Sequence, residues 1–264
     1  MTNIIPTIRP FAQLPRHSKI PAVFVADLHL SADTPLLNQA FLALLDELTA
    51  LNLENLFILG DWLDGWIGDD DYLSLTTNEK AVHWLTPILT ALATLSQHSH
   101  IYVMHGNRDF ALRQGLCDVF GGVLVREPYM WQGVRLEHGD RLCTDDKAYQ
   151  RYRKIIRNPV ISWLLLKQPL HKRRQLRANI KAKSHTQKSQ KTATIMDTNP
   201  KAVAKALRHS DLLLHGHTHR PAIHATNDKY RMVLGDWRIC GGQAMAVIGV
   251  WTDALGLYEF TYKN

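Results

Sequence analysis

Five short apolar runs each end in a cluster of polar side chains, and this repetition constrains the fold more than any other feature of the sequence. The amphipathic segment 35–51 separates the first two runs, and a second helical pattern covers residues 79–97. Strands that alternate with helices predict an α/β fold, in which functional groups gather beyond the carboxyl ends of the strands. We therefore expect the five polar clusters to converge. The runs cover residues 22–30, 55–64, 101–109, 133–140 and 211–219.

The polar residues at these five ends offer oxygen and nitrogen atoms and include no cysteine. Carboxylates, amide oxygens and neutral imidazoles suit manganese, iron or zinc, whereas a structural zinc cage would use thiolates. Any one of these residues could be a turn former or a helix cap, but five such coincidences favour a metal site. The clusters contain Asp27, His29, Asp61, Asp64, Asn107, Arg108, Asp109, His138, Asp140, His215, His217 and His219.

The remaining composition is that of a large intracellular-type domain. The chain has 264 residues, of which 45% are hydrophobic, so it can bury a sizeable core. Its three cysteines form no C-x-x-C pair, which argues against a disulfide framework and fits a reducing cytoplasm. Three prolines interrupt the first 19 residues, which we expect to form a loosely held lead-in without a signal peptide. No apolar stretch approaches the roughly 18 residues of a membrane-spanning helix.

A basic insert accounts for the net charge of +7. Lysine and arginine occur 14 times between Lys147 and Lys191 without any acidic residue, so the rest of the chain carries 17 basic and 24 acidic residues. Such a run could be a solvated face or an RNA-binding arm. Because Pro159 suits the first turn of a helix and Pro169 would end it, we expect basic, amphipathic helices. We assign residues 146–197 to a helical cap inserted between core segments 20–145 and 198–264.

The motifs D-x-H, G-D-x-x-D, G-N-R-D, H-G-D and G-H-T-H, in this order, resemble the calcineurin-like metallophosphoesterase superfamily over residues 23–221. The resemblance implies a four-layer α/β/β/α sandwich that holds two divalent metal ions bridged by Asp61. His215 has no ligand role in that pattern and is expected to support its loop. The implied ligands are Asp27, His29, Asp61 and His219 for the first ion, and Asp61, Asn107, His138 and His217 for the second.

Two metal ions about 3.5–4 Å apart can activate water and bind phosphoryl oxygens, so no protein nucleophile is required. Covalent catalysis by Cys143 is the weaker hypothesis, because that thiol has no evident partner. Many superfamily members have a histidine where this chain has Arg108, which cannot act as an acid but binds phosphate oxygens well. This departure favours cleavage of a pyrophosphate over cleavage of an ordinary phosphodiester. The expected catalytic residues are Asp61, Asn107 and Arg108.

A closer resemblance links ADLHL, GDWLD, HGNRDF, HGDRLCTDDKAYQRYR, IMD and HGHTHRPAIH to the UDP-2,3-diacylglucosamine hydrolase family of lipid A biosynthesis. It implies Mn²⁺ as the metal, a cap that holds the acyl chains, and water attack on the uridine-side phosphorus. The segment KSHTQKSQK departs from the family, which usually has asparagine at the position of Lys188. The implied substrate-binding residues are Asn107, Arg108, Asp146, Tyr149, Ser184, Lys188, Lys191 and His217.

The expected location is peripheral, on the cytoplasmic face of the inner membrane, where the protein would be a monomer in contact with membrane lipids. We expect Arg173, Arg174 and Arg177 to face these anionic lipids. Apolar residues of the insert could hold acyl chains or serve ordinary helix packing; these are Ile155, Ile156, Trp163 and Leu164 to Leu166.

Two other functions compete with this hypothesis. A nuclease of the same superfamily would also combine paired metals with a basic face, but we would expect histidine at position 108 and stacking aromatic residues in the insert. A non-enzymatic scaffold would be expected to lose ligands, and all of them are present. We therefore expect no nucleic-acid partner.

Overall fold

The structure, a computed structural model, describes residues 3–15, 19–188 and 197–263, and of residues 181–188 it describes only the backbone. The described residues form thirteen strands: β1 Arg9–Pro10, β2 Ala22–Val25, β3 Asn55–Leu59, β4 His100–Met104, β5 Val123–Val125, β6 Tyr129–Trp131, β7 Val134–Glu137, β8 Leu212–His215, β9 Ala222–Thr226, β10 Lys229–Val233, β11 Arg238–Cys240, β12 Gln243–Trp251 and β13 Leu255–Tyr262.

The same residues form nine α-helices and two short 3₁₀ helices, at Phe11–Gln13 and Leu207–His209. The α-helices are α1 Pro35–Ala50, α2 Asp70–Leu73, α3 Thr77–Ala81, α4 Thr86–Leu95, α5 Gln114–Asp118, α6 Lys147–Ile156, α7 Pro159–Leu166, α8 Leu170–Lys188 and α9 Pro200–Ala206. Within the described parts of the chain, no helix is both long enough and apolar enough to cross a bilayer.

Two sheets place the predicted strand ends together. The larger sheet has the order β1-β13-β12-β2-β3-β4-β5, with β11 paired to β12, and its strands β2 to β5 run parallel. The smaller sheet has the order β6-β7-β8-β10-β9, and its strands β7, β8 and β10 run parallel. Because parallel strands end at the same edge, the five predicted clusters follow β2, β3, β4, β7 and β8 on neighbouring edges.

Side chains alternate along the central strands between separate apolar cores, as the period of two in a strand requires. In β2, Val23 and Val25 pack with helices α1 and α4, whereas Ala22 and Phe24 face the smaller sheet. On the outer side of the smaller sheet, Leu213 packs with residues of the α9 region. The layers therefore run helix, sheet, sheet, helix, and the predicted α/β/β/α fold class is confirmed.

The predicted helical region 79–97 contains two helices instead of one continuous helix. Residues 82–85 separate α3 from α4, and Pro87 occupies the first turn of α4. Proline is tolerated in a first turn, but in a helix interior it removes a hydrogen bond and clashes with the preceding turn. The second helix therefore begins immediately before this proline.

The expectation of a loosely held lead-in is wrong for residues 3–15. Strand β1 pairs in parallel with β13, and Phe11 and Leu14 are buried in the main core. Ile4 also forms a bridge with Leu255. Of the prolines that suggested a loose segment, Pro10 lies in the edge strand β1, where a missing backbone donor is tolerated.

The insert forms the basic helices that the sequence predicted, with Pro159 in the first turn of α7 and Pro169 after its end. The expectation that its arginines face lipid is wrong for Arg173, whereas Arg174 is 57% exposed in a surface ion pair and its contact with lipid stays a prediction. Arg173 is 3% exposed and pairs with Asp70, while Arg174 Nη2 lies 2.6 Å from Asp71 Oδ1. Since these acidic partners lie about a hundred residues away in α2, the basic run gave no sign of them. The assignment of 146–197 as a separate cap stays a prediction.

Candidate metal centre

Backbone hydrogen bonds bring the loops after β2 and β3 together. Asp27 N donates to Gly60 O at 3.1 Å, and His29 N donates to Asp61 O at 2.9 Å. Asp109, which follows β4, accepts from Trp62 N at 2.8 Å and from Gly106 N at 2.6 Å. The third loop is thereby tied to the second, so Asp109 has a structural role.

The predicted ligands have an unusual backbone conformation. Five of them have positive φ angles: Asp27 at 54°, His29 at 50°, Asp61 at 50°, His217 at 68° and His219 at 56°. Left-handed backbone is uncommon for residues other than glycine, although aspartate and histidine adopt it more readily than most. Such residues cluster at functional sites, where surrounding structure holds them in place.

Three of these residues form a first group of candidate ligands. Ligand atoms of Asp27, His29 and His219 all lie within 4.8 Å of one another. His219 Nε2 lies 3.4 Å from Asp27 Oδ1, and His219 Nδ1 lies 3.4 Å from Asp236 Oδ2. The Asp27 Oδ1 atom is buried and accepts no well-formed hydrogen bond, which makes it available to a cation.

A second group consists of Asp27, Asp61 and His138, with ligand atoms again within 4.8 Å. His138 Nδ1 lies 3.0 Å from Leu59 O, so Nε2 faces Asn107 Oδ1 at 3.2 Å. A histidine that ligates a metal is commonly oriented in this way by a carbonyl at its other nitrogen. His217 belongs to neither group, but its ring centroid lies 5.0 Å from that of His138.

Burial and neighbouring charges shift the pKa values of these groups in opposite directions. Burial, reinforced by the carboxylates of Asp109 and Asp27, raises the pKa of Asp61 to about 7. Burial lowers the pKa of His29 to about 4 and that of His217 to about 3, so both imidazoles are neutral, as ligation requires. Burial opposes ionisation of His138, yet the carboxylates of Asp61 and Asp27 raise its pKa to about 9. The buried carboxylates therefore attract positive charge, and together with the donor set they fit divalent cations.

Two glycines allow the loops to approach one another. A Cβ atom on Gly106 would lie 2.1 Å from Asp61 Oδ1, and one on Gly216 would lie 2.3 Å from Asp27 Oδ2. Both distances are far shorter than a van der Waals contact. Glycine is thus required at these two positions for the carboxylates to reach the centre.

Arg108 lies between the candidate metal centre and an apolar groove. Its backbone N donates to Asp61 Oδ1 at 2.6 Å, and its Nη1 lies 3.7 Å from Asp64 Oδ1. Asn107 and Arg108 both line the groove between the core and the insert, which we call the insert groove. Its apolar lining consists of Trp66, Ile67, Phe110, Ala111, Leu165, Leu176 and Ile180.

Among the described residues, the predicted substrate-binding residue Tyr149 lies beside the candidate metal centre. Tyr149 packs its ring 6.1 Å from that of His217 and donates its hydroxyl to Asp140 at 2.5 Å. Asp146 caps α6 by accepting from Tyr149 N at 3.0 Å. The side chains of Ser184 and Lys188, and the whole of Lys191, lie outside the described residues.

The surroundings of His215 and Cys143 are compatible with the non-ligand roles expected of them. His215 is fully buried, with Nδ1 2.8 Å from Gly216 O, so it stabilises the loop that carries His217. Burial raises the pKa of the Cys143 thiol to about 12, which keeps it protonated and a poor nucleophile.

Sequence patterns alone did not single out Asp236, which follows β10 and faces His219. A signal was present, because the motif Leu-Gly-Asp-Trp occurs twice. It lies at 59–62, where β3 ends and Asp61 follows, and again at 234–237. The repeated motif thus marked a sixth strand end.

Sequence patterns also did not reveal Glu127, the acidic partner of two arginines of the insert, and the sequence offered no signal for it.

A two-sheet α/β/β/α sandwich that collects aspartate, asparagine and histidine at its strand ends defines the metallophosphoesterase class. The model of the calcineurin-like phosphoesterase family matches residues 20–221. Among curated relatives, UDP-2,3-diacylglucosamine hydrolase of Serratia proteamaculans is 39% identical over 251 residues, covering 91% of this chain and 99% of its own. The enzyme of the same name from Pseudomonas paraeruginosa is 40% identical over 225 residues, covering 81% and 90%.

The chain belongs to the calcineurin-like phosphoesterase family and, within it, to the UDP-2,3-diacylglucosamine hydrolase family. Among solved structures, a dimetal phosphatase from Danio rerio is 11% identical, covering 93% of this chain and 100% of its own, with a TM-score of 0.45. That likeness is too weak to add a functional argument.

Proposed function

We propose that the chain hydrolyses the pyrophosphate bond of UDP-2,3-diacylglucosamine in lipid A biosynthesis, releasing UMP and 2,3-diacylglucosamine 1-phosphate. Membership of the family supports this proposal. The observation that carries it is the position of Asn107 and Arg108, which join the candidate metal centre to the apolar insert groove. A substrate with a pyrophosphate beside two acyl chains needs both environments side by side.

Two divalent ions, which we propose to be Mn²⁺, would be held by the predicted ligands. Asp27, His29 and His219 would hold the first, and Asn107, His138 and His217 the second, with Asp61 bridging both. When bound, such ions supply the Lewis acidity that activates water and neutralises phosphoryl oxygens. Asp27 lies in both groups of candidate ligands and offers a second carboxylate close to the bridging position.

Arg108 orients the pyrophosphate in this proposal. Its planar guanidinium can donate two parallel hydrogen bonds to phosphoryl oxygens, which a point charge cannot do. Water attack on the uridine-side phosphorus would release 2,3-diacylglucosamine 1-phosphate. This leaving group is a phosphate with a second pKa near 6, so no histidine acid is needed to protonate it.

The insert, residues 146–197, would act as the cap that recognises the lipid. Leu165, Leu176 and Ile180 line the insert groove and would contact the acyl chains. Asp146, Tyr149, Ser184, Lys188 and Lys191 would bind the polar part of the substrate. Leu176 lines this groove and is 42% exposed, so its side chain is available for contact with an acyl chain, which supports this role.

A second part of the insert is suited to the membrane surface. Five apolar side chains of α6 and α7 are between 40% and 64% exposed, and Lys167 Nζ lies 4.0 Å from the centre of the Trp163 ring. Exposed apolar groups beside a cation favour an anionic lipid interface. We propose that this α6–α7 face contacts the cytoplasmic side of the inner membrane and that the protein acts as a monomer. The face consists of Ile155, Val160, Ile161, Trp163 and Leu164.

Parallel assays would test the proposed function. The protein with Mn²⁺ would be incubated with UDP-2,3-diacylglucosamine, single-stranded DNA or a nucleoside polyphosphate in ¹⁸O-labelled water. We expect turnover of the first substrate alone, with the label in UMP because water attacks the uridine-side phosphorus. Cleavage of DNA would favour the nuclease, absence of any turnover would favour a scaffold, and label in the lipid phosphate would refute the direction of attack.

A further inference from the structure

A buried ion network joins helix α6 of the insert to the core. Arg153 Nε lies 2.7 Å from Asp140 Oδ2, and the same guanidinium also pairs with Glu127. Arg157 Nη1 lies 3.0 Å from Glu127 Oε1. The side chain of Glu127 is 6% exposed and that of Asp140 is fully buried, so the charges balance one another away from solvent.

The network reaches two loops of the candidate metal centre. Arg157 Nη2 donates to Gly106 O at 3.0 Å, and Glu127 Oε2 accepts from His138 N at 3.2 Å. The Gly106 carbonyl belongs to the same planar peptide unit as the nitrogen of Asn107. A hydrogen bond to this carbonyl therefore fixes the backbone orientation from which the Asn107 side chain projects.

The contacts converge on one pair of side chains. Asn107 Oδ1 and His138 Nε2 lie 3.2 Å apart, and the backbone of each is held by a group of the same network. Anchoring α6 to the core would require only the ion pairs with Glu127 and Asp140. Arg157 extends beyond Glu127 to a carbonyl next to a proposed ligand, which anchoring alone does not explain.

We propose that Arg157 is a positioning residue for the half of the metal centre that contains Asn107 and His138. It contacts no reacting atom and acts through the Gly106 carbonyl and through Glu127. The proposal rests on the proposed function only for the identity of the metal-binding residues. It also implies reciprocity: docking of α6 strengthens metal binding, and metal binding stabilises the docked insert by the same factor.

Metal binding to the whole chain tests this role without a substrate. Mn²⁺ titration and metal analysis would compare the parent with Arg157→Met and Arg157→Lys. We expect Arg157→Met to weaken one of two sites about 10–100-fold, the range for partners that orient a ligand, while the other site keeps its affinity. Arg157→Lys should recover part of the loss, because it can still pair with Glu127. Arg151→Met is the matched control, since this exposed arginine of α6 lies away from the network.

The thermal midpoint separates positioning from simple anchoring. If Arg157 only anchors the helix, Arg157→Met will lower the midpoint equally with and without Mn²⁺, and both sites will bind as in the parent. That result would overturn the proposal even if the parent hydrolyses UDP-2,3-diacylglucosamine. Conversely, selective loss of one site would support positioning even if the parent hydrolyses another substrate. Should Arg157→Met not fold, the same comparison would be made with Arg157→Lys.

Discussion

Arg108 has two separate roles, one for its backbone and one for its side chain. Its backbone N hydrogen bonds to Asp61, which helps to hold a proposed bridging ligand, while its side chain extends over Asp64 towards the insert groove. A substitution at this position leaves the backbone hydrogen bond in place. The side chain can therefore be altered without removing the contact to Asp61.

Arg108→Lys should lower kcat roughly 100-fold, as expected when one donor to a charged transition state is lost, because lysine lacks the planar fork. Metal content should not change. Steady-state kinetics and metal analysis would measure both effects, with the exposed Arg208→Lys as the control. Near-normal turnover of Arg108→His with a new acidic limb in its pH profile would instead show that this position supplies a proton.

At the level of single residues, sequence patterns singled out side chains that the structure brings together, but they did not reveal the partners of those side chains. Asp27, His29, Asp61 and His138 were identified because each follows a strand in a short motif, and the structure brings them together. Asp236 was missed although its Leu-Gly-Asp-Trp motif repeats an earlier one. Glu127 could not be found, because its arginines lie 26 and 30 residues further along the chain.

The helices of the insert present two apolar surfaces that differ in location. Leu165 lines the insert groove next to Arg108, whereas Trp163, two residues earlier, is 54% exposed on the α6–α7 face. Residues two apart on a helix point in different directions, so one short helix can serve both surfaces. The sequence did not distinguish these two residues, because helical spacing alone does not show which side of the helix faces the core.

Leu165→Ser and Trp163→Ser should therefore have different effects. The first should raise KM for a diacylated substrate about tenfold, because burial of a leucine side chain contributes about 1.5–3 kcal/mol, and should change KM for a short-chain analogue little. The second should weaken sedimentation with phosphatidylglycerol vesicles while leaving both KM values near those of the parent. If each variant lost both properties, the two surfaces would not have separate functions.

Sequence patterns predicted the buried parallel strands that lead to the candidate metal centre. The runs at 22–30, 55–64, 101–109, 133–140 and 211–219 contain β2, β3, β4, β7 and β8, because buried parallel strands are short and continuously apolar. The strands β9 to β13 were not predicted. Strands β9 to β11 are largely exposed or half-buried, whereas β12 and β13 are mostly buried but are not followed by a ligand motif.

On the scale of the whole molecule, the candidate metal centre lies where two sheets meet. The larger sheet contributes Asp27, His29 and Asp61, and the smaller sheet contributes His138 and His219. Ions bound by both sets would connect the two sheets. They would also offset the burial and the carboxylate repulsion that together raise the pKa of Asp61.

Metal removal should therefore lower thermal stability. Mn²⁺ at one hundred times its Kd stabilises a folded state by about 2.7 kcal/mol per site, which corresponds to a rise in Tm of about 5–10 °C for a chain of this size. Calorimetry of chelator-treated protein with and without added Mn²⁺ would measure this rise. Asp61→Asn should show a much smaller one. An equal Tm under both conditions in the parent would contradict binding to the folded state.

The left-handed backbone of the proposed ligands has an evolutionary consequence. Glycine adopts this conformation without strain, so replacement of Asp27, Asp61 or His219 by glycine would remove a ligand with little backbone strain. Loss of catalysis and loss of folding would then be separate events. A gene duplicate of this chain could drift into an inactive yet well-folded descendant, whose surfaces would remain open to selection for another role.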